Sequence, residues 1–335
     1  MRIIFDVRRV GLGDNGGSST IINSANTLSD LGHEVYVLDS GKNMHTWTPL
    51  KVERIVCSTV CKVPNADFII ATGYKSVGPT VSASDSCGIK LHWIRGWETW
   101  QMDERRIVKK VLEAPTIKLV NSIGLQKKLQ SYNFSSHIVR PGYDIESFKP
   151  LGIRETNQKI VIGGLYNEGR GKQKKRTPWI NQTVFEIKTK RKDIEFWMFG
   201  THPRPKGFLM DHYIQKPSLE EKNEFYNHIN IWLAPSCLEG LHMPPAEALL
   251  TECCILGTNS EMNGMNDYLV HMRTGLICLN NLSSFVKSTN NLINDRELQT
   301  QLGKNGRKRI LDIGSRKENM IKFVDLLKRL KDENK

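Results

Sequence analysis

The stretch that most constrains this chain is a short apolar segment followed, after a loop, by a predicted helix. Residues 229–234 are apolar with one aromatic, which is typical of a short buried strand. Pro244 and Pro245 indicate a helix start, because proline suits the first helical turn. Glu239 falls in the loop and Glu247 in that first turn. Since open α/β sheets bind ligands beyond the carboxyl ends of their strands, we expect both carboxylates to face one crevice.

The chemistry of this crevice favours a phosphorylated sugar. A helix start offers free N–H groups and a partial positive charge, which suit a phosphate. A carboxylate only accepts hydrogen bonds and can hold two sugar hydroxyls. A site for a phosphate next to two acids that can hold sugar hydroxyls predicts that the ligand is a sugar nucleotide. The alternative is that Glu239 and Glu247 are solvated charges near a helix start.

Residues 236–249, with the pattern S-x-x-E-G-L-x-x-P-x-A-E-A-L, resemble the Glu-x7-Glu motif of retaining GT-B glycosyltransferases of family 4. The resemblance implies that Glu247 binds the ribose diol of the donor. It also implies that Glu239 holds and polarises the donor sugar, together with the amides of Gly240, Leu241 and His242. His242 departs from the pattern, since it stands where the family usually has a glycine.

The first part of the chain reads as a βαβ unit, which predicts a parallel sheet. Its loop contains Gly11-x-Gly13-x-x-Gly16, and Asp39 ends the second predicted strand. This spacing matches the fingerprint of a dinucleotide-binding fold, so an NAD-dependent oxidoreductase is one alternative. Three residues separate the first predicted strand from the first of these glycines, whereas in the fingerprint the glycine turn follows the strand directly.

The second interpretation of this loop is a ligand contact by the backbone. Gly16 and Gly17 lack side chains, so a bound sugar or phosphate can approach closely. The resemblance supports this interpretation, because G-G-x-x-x-x-I followed by L-x-x-L-G-H-E-V is the usual opening of family-4 glycosyltransferases.

A polar and aromatic cluster follows the strand predicted at 88–95. We expect Trp97 and Trp100 to form an apolar platform for a sugar face or a base, or else to be buried. In related transferases a strand at this place delivers a histidine to the donor sugar, which makes His92 the candidate catalytic residue by resemblance. Glu98 is its rival.

Residues 140–150 resemble the segment where family members cross between domains, so we place the boundary at 150. The resemblance predicts an α/β, GT-B architecture of two Rossmann-like, doubly wound domains with an interdomain cleft. Residues 1–150, with a C-terminal helix at about 315–335, form the acceptor-side domain. Residues 151–314 form the domain that binds the nucleotide sugar. The basic loop at 166–177 supplies counter-charges for the departing diphosphate, with Arg170, Lys175 and Arg176 favoured over a merely solvated loop.

The net charge of +13 predicts a polyanionic environment. By base rate, the acceptor hydroxyl of this hexosyltransferase belongs to a cell-envelope glycan or a lipid-linked acceptor at an anionic membrane surface. The alternative is a phage-type enzyme that modifies hydroxymethylated bases in DNA, with Trp93, Trp97 and Trp100 engaging an extruded base. The basic segment 102–112 is predicted to be an amphipathic helix. Its basic face rests on an anionic membrane surface or on a phosphate backbone, or it is simply solvated.

The remaining expectations concern cofactors, partners and location. No carboxylate pair has the spacing of a metal site, so we expect neither metal nor other cofactor, and we predict no protein partner. No run of eighteen apolar residues occurs, and the N-terminus does not resemble a signal peptide. Seven cysteines without paired C-x-x-C motifs indicate reduced thiols. We therefore expect a cytoplasmic protein, with peripheral association at the inner face of the membrane left open.

Overall fold

The computed structural model describes residues 1–41, 45–57, 63–100, 102–156, 158–168 and 172–334. The chain divides into two compact units. Unit 1 comprises Met1–Gly142 and Ser315–Lys335, and unit 2 comprises Tyr143–Gly314. The boundary predicted at residue 150 falls a short way inside unit 2.

Unit 1 contains a parallel sheet, as its βαβ pattern predicts. Within the described residues the strand order is β3-β2-β1-β4-β5-β6-β7. The strands are β1 (Arg2–Asp6), β2 (Glu34–Asp39), β3 (Glu53–Val56), β4 (Phe68–Ala71), β5 (Ile89–Ile94), β6 (Ile117–Val120) and β7 (His137–Ile138). The helices are α1 (Gly16–Asp30), α2 (Tyr74–Val81), α3 (Glu104–Ile107), α4 (Ile123–Gln130) and, from the far end of the chain, α11 (Arg316–Glu333).

The core of unit 1 joins its first strand to its last helix. Phe5 on β1, Trp93 on β5 and Phe323 on α11 are buried in one cluster. The ring centroid of Trp93 lies 6.0 Å from that of Phe323 and 6.4 Å from that of Phe5. Helix α11 begins with a capping box between Ser315 and Glu318, which fixes its start. The last helix is therefore part of the core of unit 1.

Unit 2 repeats the same topology. Its described strands are parallel and have the order β10-β9-β8-β11-β12-β13. They are β8 (Ile160–Tyr166), β9 (Ile194–Gly200), β10 (His212–Gln215), β11 (Ile231–Ala234), β12 (Cys254–Thr258) and β13 (Leu276–Cys278). The helices are α5 (Lys172–Lys175), α6 (Thr177–Lys188), α7 (Leu219–His228), α8 (Met243–Leu250), α9 (Leu282–Ile293) and α10 (Arg296–Ile313).

The two sheets reverse their strand order at equivalent places. Strands β1 and β4 are neighbours in unit 1, and β8 and β11 are neighbours in unit 2. The connections that leave such neighbours run to opposite faces of the sheet, which opens a crevice at their carboxyl ends. The glycine-rich loop follows β1, and the loop that carries Glu239 follows β11. Each unit therefore presents a candidate ligand-binding loop at its switch point.

Two local predictions require correction, the helix at 102–112 and the reduced state of the cysteines. The predicted helix is instead a single turn, α3, followed by a π-helical turn over Val108–Leu112. Cys57 is disulfide-bonded, whereas Cys87, Cys237, Cys253, Cys254 and Cys278 are free. In the part of the chain that the structure describes, no helix has the length and apolarity needed to cross a bilayer.

Candidate active site

The loop between β11 and α8 places Glu239 at the carboxyl edge of the unit 2 sheet. Its backbone is fixed on both sides, because the Glu239 N–H donates to the Met262 carbonyl at 2.9 Å and its carbonyl accepts from the Gly264 N–H at 3.2 Å. Residues 239 and 263 also form an isolated parallel bridge. The buried Asn263 side chain donates to the Ser236 carbonyl at 2.7 Å, which ties the two loops together. The position of Glu239 is thus determined by backbone contacts.

Glu239 forms an ion pair with Lys175, the last residue of α5. The Lys175 Nζ lies 2.5 Å from the Glu239 Oε1, and 12% of the Glu239 side chain is exposed. Burial by itself would raise the pKa of Glu239, but the charge of Lys175 and the nearby His242 outweigh it and lower this pKa. The carboxylate is therefore ionised at neutral pH and can accept hydrogen bonds from a ligand. Lys175 of the predicted basic loop and Glu239 are brought together.

His242 has the left-handed backbone conformation that favours glycine, with φ 57° and ψ 67°. Its ring is buried, with Nε2 3.7 Å from the Glu239 Oε1 and 3.5 Å from the Ser236 Oγ. Burial is the main cause that lowers the pKa of His242, to about 4, against the opposing effect of Glu239. The ring is therefore neutral at physiological pH.

Glu247 lies one turn into α8 and faces α7. Its Oε2 is 2.9 Å from the Lys222 Nζ and accepts a hydrogen bond from the Tyr226 hydroxyl at 3.1 Å. The Glu247 side chain is 12% exposed and that of Lys222 19%. The Lys222 Nζ also lies 5.2 Å from the centroid of the Phe148 ring. This carboxylate is held by one cation and one hydroxyl, and both glutamates of the motif occur in lysine pairs.

Backbone amides next to Glu239 are available to a ligand. Among the described residues, the N–H groups of Gly240, Leu241 and His242 donate to no backbone carbonyl. Pro244 and Pro245 occupy the first turn of α8 and have no N–H group. The predicted phosphate site at this helix start is therefore weaker than expected, and the donors lie in the loop before the helix.

Arg176 also has a left-handed backbone, with φ 53°, and begins α6. Its guanidinium carbon stacks 4.2 Å from the centroid of the Trp179 ring. The Nη1 donates to the Asn280 side chain and, at 3.4 Å, to the Pro235 carbonyl. Arg176 thus lies beside the end of β11, close in the sequence to Lys175. Arg170, the third predicted cation, lies outside the described residues.

In unit 1, Gly16 and Gly17 form the first turn of α1. The Asn15 side chain caps this helix by accepting from the Ser18 N–H at 2.9 Å. The Arg95 guanidinium donates to the carbonyls of Gly17 and, at 2.6 Å, Thr72. Burial lowers the pKa of Arg95 to about 10, which still leaves it charged at neutral pH. The two glycines therefore lie at the edge of the sheet, where the sequence predicts them, and the Arg95 side chain contacts the backbone of Gly17.

His92 lies in the interior of unit 1. It is fully buried on β5, and its ring centroid is 5.9 Å from that of Tyr74 in an edge-on contact. Burial lowers its pKa to about 3, with Lys118 and Arg95 as lesser causes. Among the described residues neither ring nitrogen has a hydrogen-bond partner. The structure thus places this histidine beneath the surface, and its catalytic role stays a prediction.

Glu98 is closer to the surface than His92. Its Oε2 accepts from the Tyr74 N–H at 3.4 Å, at the start of α2. Burial raises the pKa of Glu98, while Arg95 opposes this effect. Trp97 and Trp93 are buried, and Trp97 stacks on Tyr132 with 6.0 Å between ring centroids. Of the two tryptophans predicted to form a platform or to be buried, Trp97 is therefore buried and Trp100 is 49% exposed.

The geometry does not favour the dinucleotide alternative. Strand β1 ends at Asp6 and α1 begins only at Gly16, so the glycine loop is longer than the fingerprint requires. Asp39, the expected ribose ligand, is fully buried and paired with Arg54, whose Nε lies 2.9 Å and Nη2 2.5 Å from its Oδ2.

Several residues of this site are absent from the sequence-based prediction. Lys222 and Tyr226 on α7 and Asn263 in the loop after β12 all contact the motif, yet both of these elements lie outside it in the sequence. The only available signal was Gly264-x-x-Asp, which directly follows Asn263. Among the described residues, no group of three or more His, Cys, Asp or Glu side chains is arranged to bind a metal ion.

Comparison with known proteins relates one segment of unit 2 to glycosyltransferases. Residues 210–309, which lie within unit 2, match the family model described as "Glycosyl transferases group 1". The capsular polysaccharide biosynthesis glycosyltransferase CapM of Staphylococcus aureus is 33% identical over 87 residues, or 26% of this chain. The matched segment spans only 22% of the length of CapM. The predicted relationship to glycosyltransferases is confirmed for this domain, whereas family 4 and the Glu-x7-Glu assignment stay predictions.

Solved structures establish the fold of the whole chain. Sucrose-phosphate synthase from Thermosynechococcus elongatus has a TM-score of 0.79 at 14% identity and covers 98% of this chain and 99% of its own. HepE from Anabaena, in complex with UDP-glucose, has a TM-score of 0.77 at 11% identity, with 98% and 100% covered. The predicted GT-B type fold with two Rossmann-like parallel sheets is confirmed.

Proposed function

We propose that this protein is a hexosyltransferase that moves a sugar from a nucleoside diphosphate to an acceptor hydroxyl, with retention at the anomeric carbon. The observation that carries the proposal is the β11–α8 loop. This loop and the start of α8 carry two carboxylates with seven residues between them, each paired with a lysine, and the segment from 210 to 309 that contains them matches a glycosyltransferase family. A UDP-sugar is the favoured donor, because HepE has been solved with UDP-glucose.

Each residue has a role that follows from its position. Glu247 would accept hydrogen bonds from the ribose diol, and Glu239 from sugar hydroxyls. The free amides of residues 240–242 would donate to the donor sugar. Lys175 and Arg176 lie beside this loop and would stabilise the negative charge that develops on the departing diphosphate. Gly16 and Gly17 of unit 1 would allow the substrate to approach the backbone.

The acceptor we propose is a cell-envelope glycan or a lipid-linked saccharide. CapM, which shares a segment with this chain, is named for capsular polysaccharide biosynthesis. The exposed side chains of Arg105, Arg106, Lys109 and Lys110 follow one another on the turns after Asp103, which suits anionic head groups. Burial of Trp93 and Trp97 leaves Trp100 alone, among the three tryptophans considered for an extruded DNA base, with an exposed side chain, which makes the DNA alternative less favourable. Sedimentation with anionic and neutral liposomes tests this proposal, and steep loss of DNA binding with salt would favour the DNA alternative.

The experiment that tests the reaction is nucleotide release from UDP-, GDP- and ADP-sugars. Turnover by the wild type is expected with one of them and should collapse in Glu247→Ala, because the ribose loses its acceptor. A Glu297→Ala variant changes an exposed glutamate on α10 and serves as the control. If the wild type neither binds nor turns over any sugar nucleotide, the proposal is wrong.

A further inference from the structure

We infer that the imidazole of His242 positions the Glu239 carboxylate for the donor sugar. The inference rests on the proposed function and extends it, since sequence comparison assigns only the backbone of this residue. A glycine in its place would provide the same amide without a ring. The ring is therefore the feature that distinguishes this chain from the pattern it resembles.

The contacts of the ring support a positioning role. Only 4% of the His242 side chain is exposed, and its Nε2 lies 3.7 Å from the Glu239 Oε1. The Ser236 Oγ lies 3.5 Å from the same nitrogen. A neutral imidazole carries one N–H donor, which can point at the carboxylate. The buried ring thus restrains the orientation of Glu239.

A second partner is required because Lys175 has two tasks. In the structure its ammonium pairs with Glu239, yet a bound diphosphate would compete for the same cation. A carboxylate that is 12% exposed would then lose its counter-charge inside a site from which water is being excluded. The His242 ring is enclosed by protein, so it cannot turn away from Glu239 as the flexible Lys175 side chain can. It would keep Glu239 oriented while Lys175 turns towards the phosphates.

The backbone of His242 is held independently of its ring. The buried Tyr268 hydroxyl donates to the His242 carbonyl at 2.7 Å. The left-handed conformation at residue 242 is strained for a non-glycine residue, whereas glycine adopts it freely. His242→Gly therefore removes the ring and the strain together, and the variant is expected to fold with the same loop.

The test compares His242→Gly with the wild type in donor turnover. We expect kcat/KM to fall about tenfold, since the Glu239 carboxylate loses the imidazole whose Nε2 lies 3.7 Å from its Oε1. Without this donor the pKa of Glu239 rises, so the acid limb of the kcat/KM profile should move to higher pH. A merely structural role of the ring would leave that limb unchanged. Circular dichroism and thermal unfolding establish that the variant is folded.

Two further variants complete the design. Met272→Gly relieves a left-handed residue, with φ 58° and a half-exposed side chain, outside the site, and it should behave as the wild type. His242→Asn keeps a donor and tolerates the same backbone, so it should recover part of the lost activity. Wild-type kinetics and pH profile in both His242 variants would overturn the inference while leaving the proposed function intact. Absence of donor turnover in the wild type would contradict both the inference about His242 and the proposed function.

Discussion

The two units carry acids near equivalent edges of equivalent sheets, but hold them differently. In unit 1, Asp6 and Asp39 are fully buried, and each faces an arginine of the same sheet edge. The Arg8 Nε and Nη2 lie 3.0 and 2.8 Å from the two carboxylate oxygens of Asp6. In unit 2, Glu239 and Glu247 are each 12% exposed and pair with a lysine from another helix.

The difference separates structural acids from acids that are able to bind a ligand. An arginine fork satisfies a carboxylate with two or more fixed hydrogen bonds and leaves little for a substrate. A lysine ammonium is a single charge on a flexible stem, so it can be displaced or can share its partner. Equivalent positions in a duplicated topology therefore need not share a function.

The largest expected effect is on the stability of unit 1. Asp39→Ala leaves Arg54 partly buried without its partner and should cost about 3–5 kcal/mol of unfolding free energy. Glu247→Ala in unit 2 should cost less, about 1–3 kcal/mol, because the flexible Lys222 ammonium can reorient, whereas the buried Tyr226 hydroxyl loses its acceptor. Urea unfolding of both variants measures the contrast. Equal losses would show that the two kinds of pair are energetically alike.

The second largest expected effect is a loss of donor turnover when the Lys175 side chain is removed. Lys175→Ala removes the main attractive charge on Glu239, and donor kcat/KM should fall about tenfold to a hundredfold. Lys188→Ala breaks the Lys188–Asp211 pair elsewhere in unit 2 and is the matched control. If both lysine variants lose the same activity, Lys175 has no special role.

The same variant has a defined pH signature. Because the folded state lowers the pKa of Glu239, its charge stabilises the protein above the pKa of an unfolded glutamate. That contribution is lost as the pH falls through the lowered folded value. Lys175→Ala should therefore be destabilised relative to the wild type at neutral pH, and the difference should shrink in acid. Thermal unfolding between neutral and acidic pH measures this dependence.

The smallest expected effect is on donor affinity through Lys222. In Lys222→Met the Tyr226 hydroxyl still donates to Glu247, so the carboxylate keeps one partner. We expect the donor KM to change by a factor of about five or less, or roughly 1 kcal/mol, with kcat unchanged. Steady-state kinetics test this, with Tyr226→Phe as the complementary variant. A collapse of kcat would instead place Lys222 among the groups that act in the transition state.

Much of the fold was predictable, because strands and helices depend on local patterns. The C-terminal helix predicted at about 315–335 is present as α11, Arg316–Glu333. The parallel sheets followed from the alternation of strands and helices. The short segments were harder, since α3 and its π-helical turn depend on tertiary packing of Ile107, Val111 and Leu112.

The candidate site was predictable only in part. The β11–α8 motif identifies Glu239, Glu247 and the backbone between them, and the basic loop identifies Lys175. Partners such as Lys222 come from a helix whose own sequence gives no functional signal. The sequence allows Trp97 to lie at the surface or in the core. It lies in the core because it packs against Tyr132, a tertiary contact that local sequence does not show. Side-chain pairing across elements is not encoded in local periodicity.

The placement of α11 in unit 1 has a consequence for biosynthesis. Unit 2 is continuous in the sequence, whereas unit 1 is completed by its most C-terminal segment. On the ribosome, the apolar surface that receives Phe323 and Leu327 stays uncovered while the whole of unit 2 is being translated. Unit 2 can thus finish folding before unit 1, and this surface has to be shielded by the nascent protein itself or by a chaperone until α11 has been translated.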